Sequence, residues 1–103
     1  MTTSLELNVR NPSGLHARPA AVFVRAASGF RSEIRVENVT TGSAPVTAKS
    51  IIGVLGLGVS CGHRIRLVVD GEDEGPAAEA LRSLVEAGLE EGTNAELGSS
   101  RPA

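Results

Sequence analysis

The sequence predicts an α+β domain in which two main helices cover one face of a β-sheet. Three segments alternate apolar and polar residues, the pattern of half-buried strands, and two longer segments repeat apolar residues with helical spacing. With a short strand and a short helix in the middle of the chain, they give the element order βαββαβα. The 103 residues suffice for one domain, whose core must consist of Val, Leu, Ile and Ala because the chain has two Phe and neither Trp nor Tyr.

The first strand and the first helix are separated by a polar break. Leu5, Leu7 and Val9 alternate with polar residues, and the break follows at residues 11–14. A helix is predicted from about residue 17 to residue 28. Its apolar residues share one face, which should meet the core: Pro19, Ala20, Phe23, Ala27 and Phe30. The residues on the opposite, exposed side are Arg18, Val22 and Arg25.

The middle of the chain holds a second strand, a hairpin and a short helix. Ile34 and Val36 alternate with charged residues, a polar turn spans residues 38–45, and a short third strand follows. Ser50 suits the N-cap of a helix over residues 51–57, which must be short because its glycines weaken it. Such a helix cannot bury all of its apolar side chains, so some of them must face outward.

The fourth strand and the last helix complete the domain. Apolar residues alternate over residues 65–69, and the helix is predicted to start with Asp73 as its N-cap and to end near Gly92. The residues of its core stripe are Ala77, Ala80, Leu81, Leu84, Val85 and Leu89. Residues 93–103 are small, polar and aperiodic, which predicts a disordered tail after a domain that spans residues 1–92.

A candidate anion site lies where the first helix begins. Pro19 lacks an N–H group and is tolerated only in the first helical turn, so the helix must start between about His16 and Arg18. The imidazole of His16 therefore sits at a helix N-terminus, which favours an anion, and Arg18 adds a fixed charge. Ser13 and Gly14 form a small approach to this point. The combination predicts an anion site with a histidine that can act as a nucleophile, whereas each residue alone would indicate a weak cap, a solvated charge or a turn.

Two motifs of the chain resemble those of a known family. Residues 14–20, GLHARPA, resemble the active-site signature of HPr, the histidine-containing phosphocarrier of the phosphoenolpyruvate:sugar phosphotransferase system. Residues 48–55, AKSIIGVL, resemble the second motif of this family, and the likeness covers about residues 4–91. It implies an open-faced β-sandwich, with a four-stranded antiparallel sheet in the order 1-4-2-3 and helices packed on one face. The hairpin over residues 38–45 is longer than the family pattern leads us to expect.

The resemblance implies a phosphocarrier that works through a transient phosphohistidine and is not an independent catalyst. His16 would take a phosphoryl group on Nδ1 from enzyme I and pass it to enzyme IIA proteins or domains. Arg18 and the backbone N–H of Ala17 would hold the phosphate, with Ser13 as a weaker candidate. The resemblance implies no metal ion and no cofactor.

The resemblance also implies that the short helix lies beside His16 and forms a docking surface for partners. The residues expected in this surface are Val22, Arg25, Lys49, Ile51, Ile52 and Leu55. Ser50 matches the serine that HPr kinase/phosphorylase modifies in some bacterial lineages, where a transcriptional regulator is a further partner. In other lineages the residue is a plain N-cap, so regulation at Ser50 and a purely structural role both stay open.

Charge and composition disfavour other classes of function. The net charge of −2 and the lack of aromatic residues for stacking argue against a nucleic-acid-binding module. No apolar stretch is long enough to insert into a membrane, the first residues lack a signal-peptide pattern, and the single cysteine, Cys61, suits the cytoplasm. Residues 1–68 carry eight Lys/Arg and three Asp/Glu, a net of +5, whereas residues 69–103 carry two and nine, a net of −7. A basic site surface that meets acidic partners fits this distribution.

Two alternatives of related chemistry stay open. The chain could be an HPr-like carrier of a nitrogen-related or dihydroxyacetone phosphorelay, which would use the same residues with other partners. It could instead be an HPr-type regulator that acts by protein contact alone, although His16 and Arg18 argue against that role. The second histidine, His63, lacks comparable neighbours and is interpreted as a surface residue.

Overall fold

The computed structural model describes residues 2–91 of the chain. Its elements are β1 (Thr2–Asn8), α1 (Ala17–Ser28), β2 (Glu33–Asn38), β3 (Val46–Thr47), α2 (Ile51–Gly56), β4 (Arg64–Asp70) and α3 (Glu74–Glu86). This order confirms the predicted βαββαβα arrangement. No helix between residues 2 and 91 combines the length and the apolar character needed to cross a bilayer. The tail predicted over residues 93–103 lies outside the described residues.

The sheet is built on β4, which lies in its interior. β4 pairs antiparallel with β1 on one side and with β2 on the other, and β3 extends the sheet beyond β2, so the strand order is β1-β4-β2-β3. In this register Val68 of β4 stands between Ser4 of β1 and Arg35 of β2. The four-stranded antiparallel sheet and its helices confirm the predicted α+β open-faced sandwich.

The core lies on one face of the sheet, beneath α1 and α3. Alternate strand residues are buried there because the two-residue period of a strand points them to the same side. Phe23 is fully buried at the centre and Phe30 packs at the margin, as the apolar face of α1 predicts. In α3, Ala80 was expected in the core stripe but is exposed, and Ala78 is buried instead. The largest fully buried side chains also include Leu15, Ile34, Ile65, Leu67, Leu81 and Leu89.

The other face of the sheet carries charges of alternating sign. Glu6, Arg66 and Glu37 lie side by side on β1, β4 and β2. The guanidinium of Arg66 donates to a carboxylate oxygen of Glu6 at 2.7 Å and also to Glu37. The hydrogen bond from Arg66 is the main reason that the pKa of Glu6 is lowered. Each charge thus meets an opposite one on the face that water reaches.

The end of α3 differs from the prediction. The helix stops at Glu86 rather than near Gly92, and the residues that follow turn into the left-handed region, with φ of 92° at Gly88, 54° at Leu89 and 67° at Glu90. Leu89 is only 1% exposed, so the reversal of the chain fills the core. Periodicity alone did not reveal this end because Leu89 continues the apolar pattern of the helix.

A Schellman motif explains why α3 ends early. The N–H of Gly88 donates to the carbonyl of Val85 at 3.0 Å, and the N–H of Leu89 donates to the carbonyl of Leu84 at 2.9 Å. These bonds satisfy carbonyl groups that the last turn of a helix leaves without intrahelical partners.

Asp73 precedes α3 as predicted, yet its side chain does not cap that helix. Its carboxylate instead accepts the N–H groups of Arg31 at 2.8 Å and Ser32 at 2.9 Å, together with the hydroxyl of Ser32. These hydrogen bonds, that of the Ser32 hydroxyl first, lower the pKa of Asp73 to about 2. Asp73 therefore ties the start of α3 to the chain that leads into β2.

His63 is half-buried and not the surface residue that the sequence indicated. Its Nδ1 lies 3.1 Å from the backbone nitrogen of Ser60 and 3.1 Å from Nδ2 of Asn38. Both partners are donors, so Nδ1 accepts their hydrogen bonds and the ring joins the turn before β4 to the end of β2. Asn38 also accepts the N–H of Thr41 through Oδ1 at 3.3 Å, which organises the polar turn predicted after β2.

Candidate functional site

His16 is the N-cap residue of α1, where the sequence predicted the helix to begin. Its backbone is extended, with φ −127° and ψ 161°, and its side chain makes no capping hydrogen bond. The residue is half-buried, and Pro19 lies buried within the first turn. Because the helix does not use the imidazole as its cap, the ring can meet an incoming anion at the positive end of α1.

The first helical residue, Ala17, has the left-handed backbone conformation, with φ 51°. A residue with a Cβ rarely adopts this conformation, which costs about 1–3 kcal/mol and persists only where the surrounding structure enforces it. Leu15 and Pro19, each two residues from Ala17, are both buried, which holds the chain on either side. Backbone strain of this kind clusters at functional sites.

The loop before His16 is held against the segment that follows α2. Gly14 has φ 60°, and a Cβ at this position would lie 2.2 Å from the carbonyl oxygen of Val59 and 2.8 Å from Cα of Ser60. Only glycine fits so close an approach. Leu15 is fully buried, and its N–H donates to the carbonyl of Val59 at 3.0 Å. His16 therefore extends from a loop with little freedom to move.

Ser13, a predicted phosphate ligand, contacts a carboxylate in the structure. Its N–H donates to Oε1 of Glu91 at 2.9 Å, and its hydroxyl donates to Oε2 at 2.6 Å. Nδ2 of Asn11 donates to the same Glu91 at 3.0 Å and to the carbonyl of Gly14 at 2.9 Å. The hydroxyl and then the N–H of Ser13 lower the pKa of Glu91. The sequence does not reveal the role of Glu91, because no local pattern joins residues 78 positions apart.

Of the residues expected on the outer side of α1, two are exposed and one is not. Arg18 and Arg25 are exposed, as predicted. Val22 is only 5% exposed, so its assignment to the docking surface is wrong. The reason is that α1 packs against both α2 and α3, which cover more of its circumference than its apolar stripe indicates.

The short helix α2 presents apolar side chains to solvent, as its length predicted. Ser50 is its N-cap, and the Oγ of Ser50 accepts the N–H of Gly53 at 3.1 Å. Val54 is fully buried and anchors the helix, whereas Ile52 is 80% exposed. The other exposed large apolar residues are Ile51 and Leu55, each 39% exposed.

Lys49 lies just before α2, and its charge is directed towards α1. Its Nζ donates to the carbonyl of Phe30, beyond the C-terminus of α1, at 2.7 Å. This is a favourable place for a cation because the helix dipole is negative at that end. Lys49 thus links the α1 and α2 regions in addition to any contact with a partner.

The structure brings the two sequence motifs together. α2 contacts α1, and the segment after α2 supports the loop that ends at His16. The first turn of α1 contains no acidic residue, so no carboxylate of that turn opposes an anion beside His16. Among residues 2–91, no three His, Cys, Asp or Glu side chains are grouped so that they could hold a metal ion.

Comparison with known proteins identifies the family. Residues 3–87 match the sequence model of the family described as the PTS HPr component phosphorylation site. The chain belongs to the HPr family. The phosphocarrier protein HPr of Treponema pallidum is 44% identical over 85 residues, which make up 82% of this chain and 93% of that protein. The crystal structure of HPr-C-His from Thermoanaerobacter tengcongensis has a TM-score of 0.81 and 44% identity, and the match covers 86% of this chain and 97% of that chain.

HPr domains also match as parts of larger proteins. The multiphosphoryl transfer protein of Haemophilus influenzae is 44% identical over 87 residues, which are 84% of this chain but 17% of that protein. The chain spans 17–24% of the length of the multiphosphoryl transfer proteins that it matches. The family model and these relatives confirm the family that the two sequence motifs predicted.

The span matched to the HPr family contains most of the predicted site but not all of the residues that contact it. His16, Arg18 and the whole of α2 lie within residues 3–87. Glu91 lies beyond that span, although its carboxylate accepts hydrogen bonds from the loop before His16.

Proposed function

We propose that His16 of this HPr domain accepts a phosphoryl group from the phosphohistidine of enzyme I and passes it to enzyme IIA proteins or domains. The observation that carries this proposal is the imidazole of His16 at the N-cap of α1, which the helix does not use as its cap. The positive end of the helix stabilises the negative charge of the phosphoryl group. The domain acts as an intermediate of transfer and not as an independent catalyst, in the cytoplasm that a single-cysteine chain suits.

Each transfer exchanges one P–N bond for another. The lone pair of Nδ1 of His16 attacks phosphorus, while the P–N bond of the donor breaks and its electron pair stays on the donor imidazole. The guanidinium of Arg18 neutralises negative charge on the transferred group, and the N–H of Ala17 donates to one of its oxygens. Ser13 is a further donor to the phosphate, once its hydroxyl is released from Glu91.

The exposed apolar residues of α2 form the surface that docks both partners in this proposal. Ile51, Ile52 and Leu55 are more exposed than large apolar residues of a self-contained core would be, and they supply apolar area for burial. The exposed charges of Arg18 and Arg25 steer acidic partner surfaces towards this patch. Lys49 fixes the position of this patch relative to α1, because its Nζ donates to the carbonyl of Phe30 just after that helix.

Ser50 is a proposed site of regulatory phosphorylation by HPr kinase/phosphorylase, with a transcriptional regulator as the partner that recognises the modified form. The Oγ of Ser50 accepts the N–H of Gly53 and sits directly before the exposed Ile51 and Ile52. A phosphate there suits the helix N-terminus, but it sets negative charge beside the apolar patch. Modification would therefore weaken docking of enzyme I with little loss of stability.

The test is incubation with enzyme I and phosphoenolpyruvate, followed by intact-mass spectrometry. We expect one added phosphoryl group that is lost in acid, as a phosphohistidine is. His16→Ala should remove the label, whereas the matched variant His63→Gln, at the only other histidine of the chain, should keep it. A label that survives in His16→Ala, or that disappears only in His63→Gln, would disprove the assignment.

A further inference from the structure

The loop that leads to His16 already holds an anion supplied by the chain itself. Glu91 receives hydrogen bonds from the N–H of Ser13 at 2.9 Å, the hydroxyl of Ser13 at 2.6 Å and Nδ2 of Asn11 at 3.0 Å. Asn11 is fully buried, so the donor set is part of the packed domain and not a chance surface contact. These donors are of the kind that would otherwise bind the oxygens of a phosphate.

The chain adopts an unfavourable backbone to deliver this carboxylate. Gly88, Leu89 and Glu90 all have positive φ, although two of them carry a Cβ. Leu89 is buried in the core, and the N–H of Glu91 donates to the carbonyl of Gly88 at 2.8 Å, so the segment is fixed at both ends. The turn that buries Leu89 therefore also holds Glu91 beside Ser13. The hydrogen bonds from the Ser13 hydroxyl, the Ser13 N–H and Asn11 lower the pKa of Glu91, so these donors favour its ionised form.

We infer that Glu91 is an internal anion that occupies the Ser13 donors while His16 is unphosphorylated and releases the Ser13 hydroxyl when a phosphoryl group arrives. Glu91 is thus a positioning residue: it aligns the loop in the empty state and limits how tightly the same loop holds phosphate. This inference rests on the proposed phosphorylation of His16.

The competition follows from the chemistry of the donors. A serine hydroxyl has one proton, so a bond to Glu91 and an equally good bond to a phosphate oxygen exclude each other. The carboxylate also repels a second anion that shares its hydrogen-bond network. Removing the charge of Glu91 should therefore stabilise phosphorylated His16 relative to the unphosphorylated form.

The experiment measures the ratio of phosphorylated to unphosphorylated domain at equilibrium with enzyme I and a fixed ratio of phosphoenolpyruvate to pyruvate. Glu91→Gln should raise this ratio about fivefold, a coupling typical of groups in one hydrogen-bond network. The matched control is Glu90→Gln, which removes the same charge from the exposed neighbour and should leave the ratio unchanged. In a Ser13→Ala background, the effect of Glu91→Gln should shrink, because the contested hydroxyl is gone.

The outcomes separate this inference from the function on which it rests. Absence of label on wild-type His16 would refute the proposed function, whereas normal labelling with equal ratios in Glu91→Gln and Glu90→Gln would overturn the inference alone. A lower ratio in Glu91→Gln would also overturn it, since the carboxylate would then support the phosphorylated state. If Glu91→Gln fails to fold, the test is the NMR chemical shift of the side-chain carboxyl carbons in the wild-type chain, measured before and after phosphorylation. Phosphorylation of His16 should shift the signal of Glu91 and not that of Glu90, and an unmoved Glu91 signal would count against the inference.

Discussion

Truncation of Ile52 to Ala should separate binding from stability more cleanly than any other change in α2. Full burial of such a side chain contributes ~2–3 kcal/mol to stability. Because Ile52 is 80% exposed, its truncation should remove only about a fifth of this, or about 0.5 kcal/mol. The matched control, Val54→Ala, removes a fully buried side chain from the same helix and should cost about 2–3 kcal/mol through lost burial and the cavity left behind. Leu55, 39% exposed, should fall between them at about 1–2 kcal/mol.

The assay pairs thermal melts with titration of each variant against enzyme I. We expect Ile52→Ala to melt within a few degrees of wild type and to bind about fivefold more weakly, a loss of roughly 1 kcal/mol that is typical of an interface anchor. Val54→Ala should melt about 10 °C lower or more. If Ile52→Ala bound enzyme I with unchanged affinity, or if it lowered the melting temperature as much as Val54→Ala, the α2 patch could not be the docking surface.

Three further predictions concern the site and its support. Gly14→Ala should lower the free energy of unfolding by about 2 kcal/mol more than Gly58→Ala does, because both glycines have φ near 60° but only Gly14 lacks room for a Cβ. Equal losses for the two variants in a denaturant titration would contradict this. The Asp73 carboxylate, with its pKa lowered to about 2, should stabilise the fold above pH 3.8 and lose this contribution as the pH falls to 2. The melting temperature of wild type should therefore fall more steeply than that of Asp73→Asn over this pH range. If the two melting temperatures fell in parallel, the prediction would be wrong. Arg18→Ala should slow phosphoryl transfer from enzyme I but change the free energy of unfolding by no more than about 1 kcal/mol, because an exposed charge contributes little to stability. A large drop in melting temperature with normal transfer would instead show that Arg18 has a structural role.

Features that depend on a few neighbouring residues could be predicted from the sequence. Pro19 locates the start of α1 because proline is excluded from later turns, and the structure places His16 at that N-cap. Ser50 is the N-cap of α2 and bonds its third helical N–H, as its type and position indicate. The excess of apolar residues in α2 likewise predicted that some of them face solvent, which Ile52 does.

Features that depend on distant parts of the chain could not be predicted. Val22 lies off the apolar stripe of α1 and is buried because other helices pack against α1, which no local pattern encodes. The left-handed Ala17 has no sequence signal, since alanine is a common helix former. The predicted last helix includes Glu91, and only the reversal at Gly88 and the distant partner Ser13 reveal its contact with the site.

The interior position of β4 governs the order in which this domain can fold. Of the strand pairings in residues 2–91, only that of β2 with β3 does not involve β4, and the pairing of β1 with β4 joins Thr2 to Asp70. Closing so long a loop slows folding, because the chain loses conformational entropy before the stabilising contacts between the two strands form. A chain emerging from the ribosome must therefore hold β1 unpaired until β4 has been synthesised. Nearly the whole sheet, and with it the support beneath the His16 loop, then forms in a single late and cooperative event.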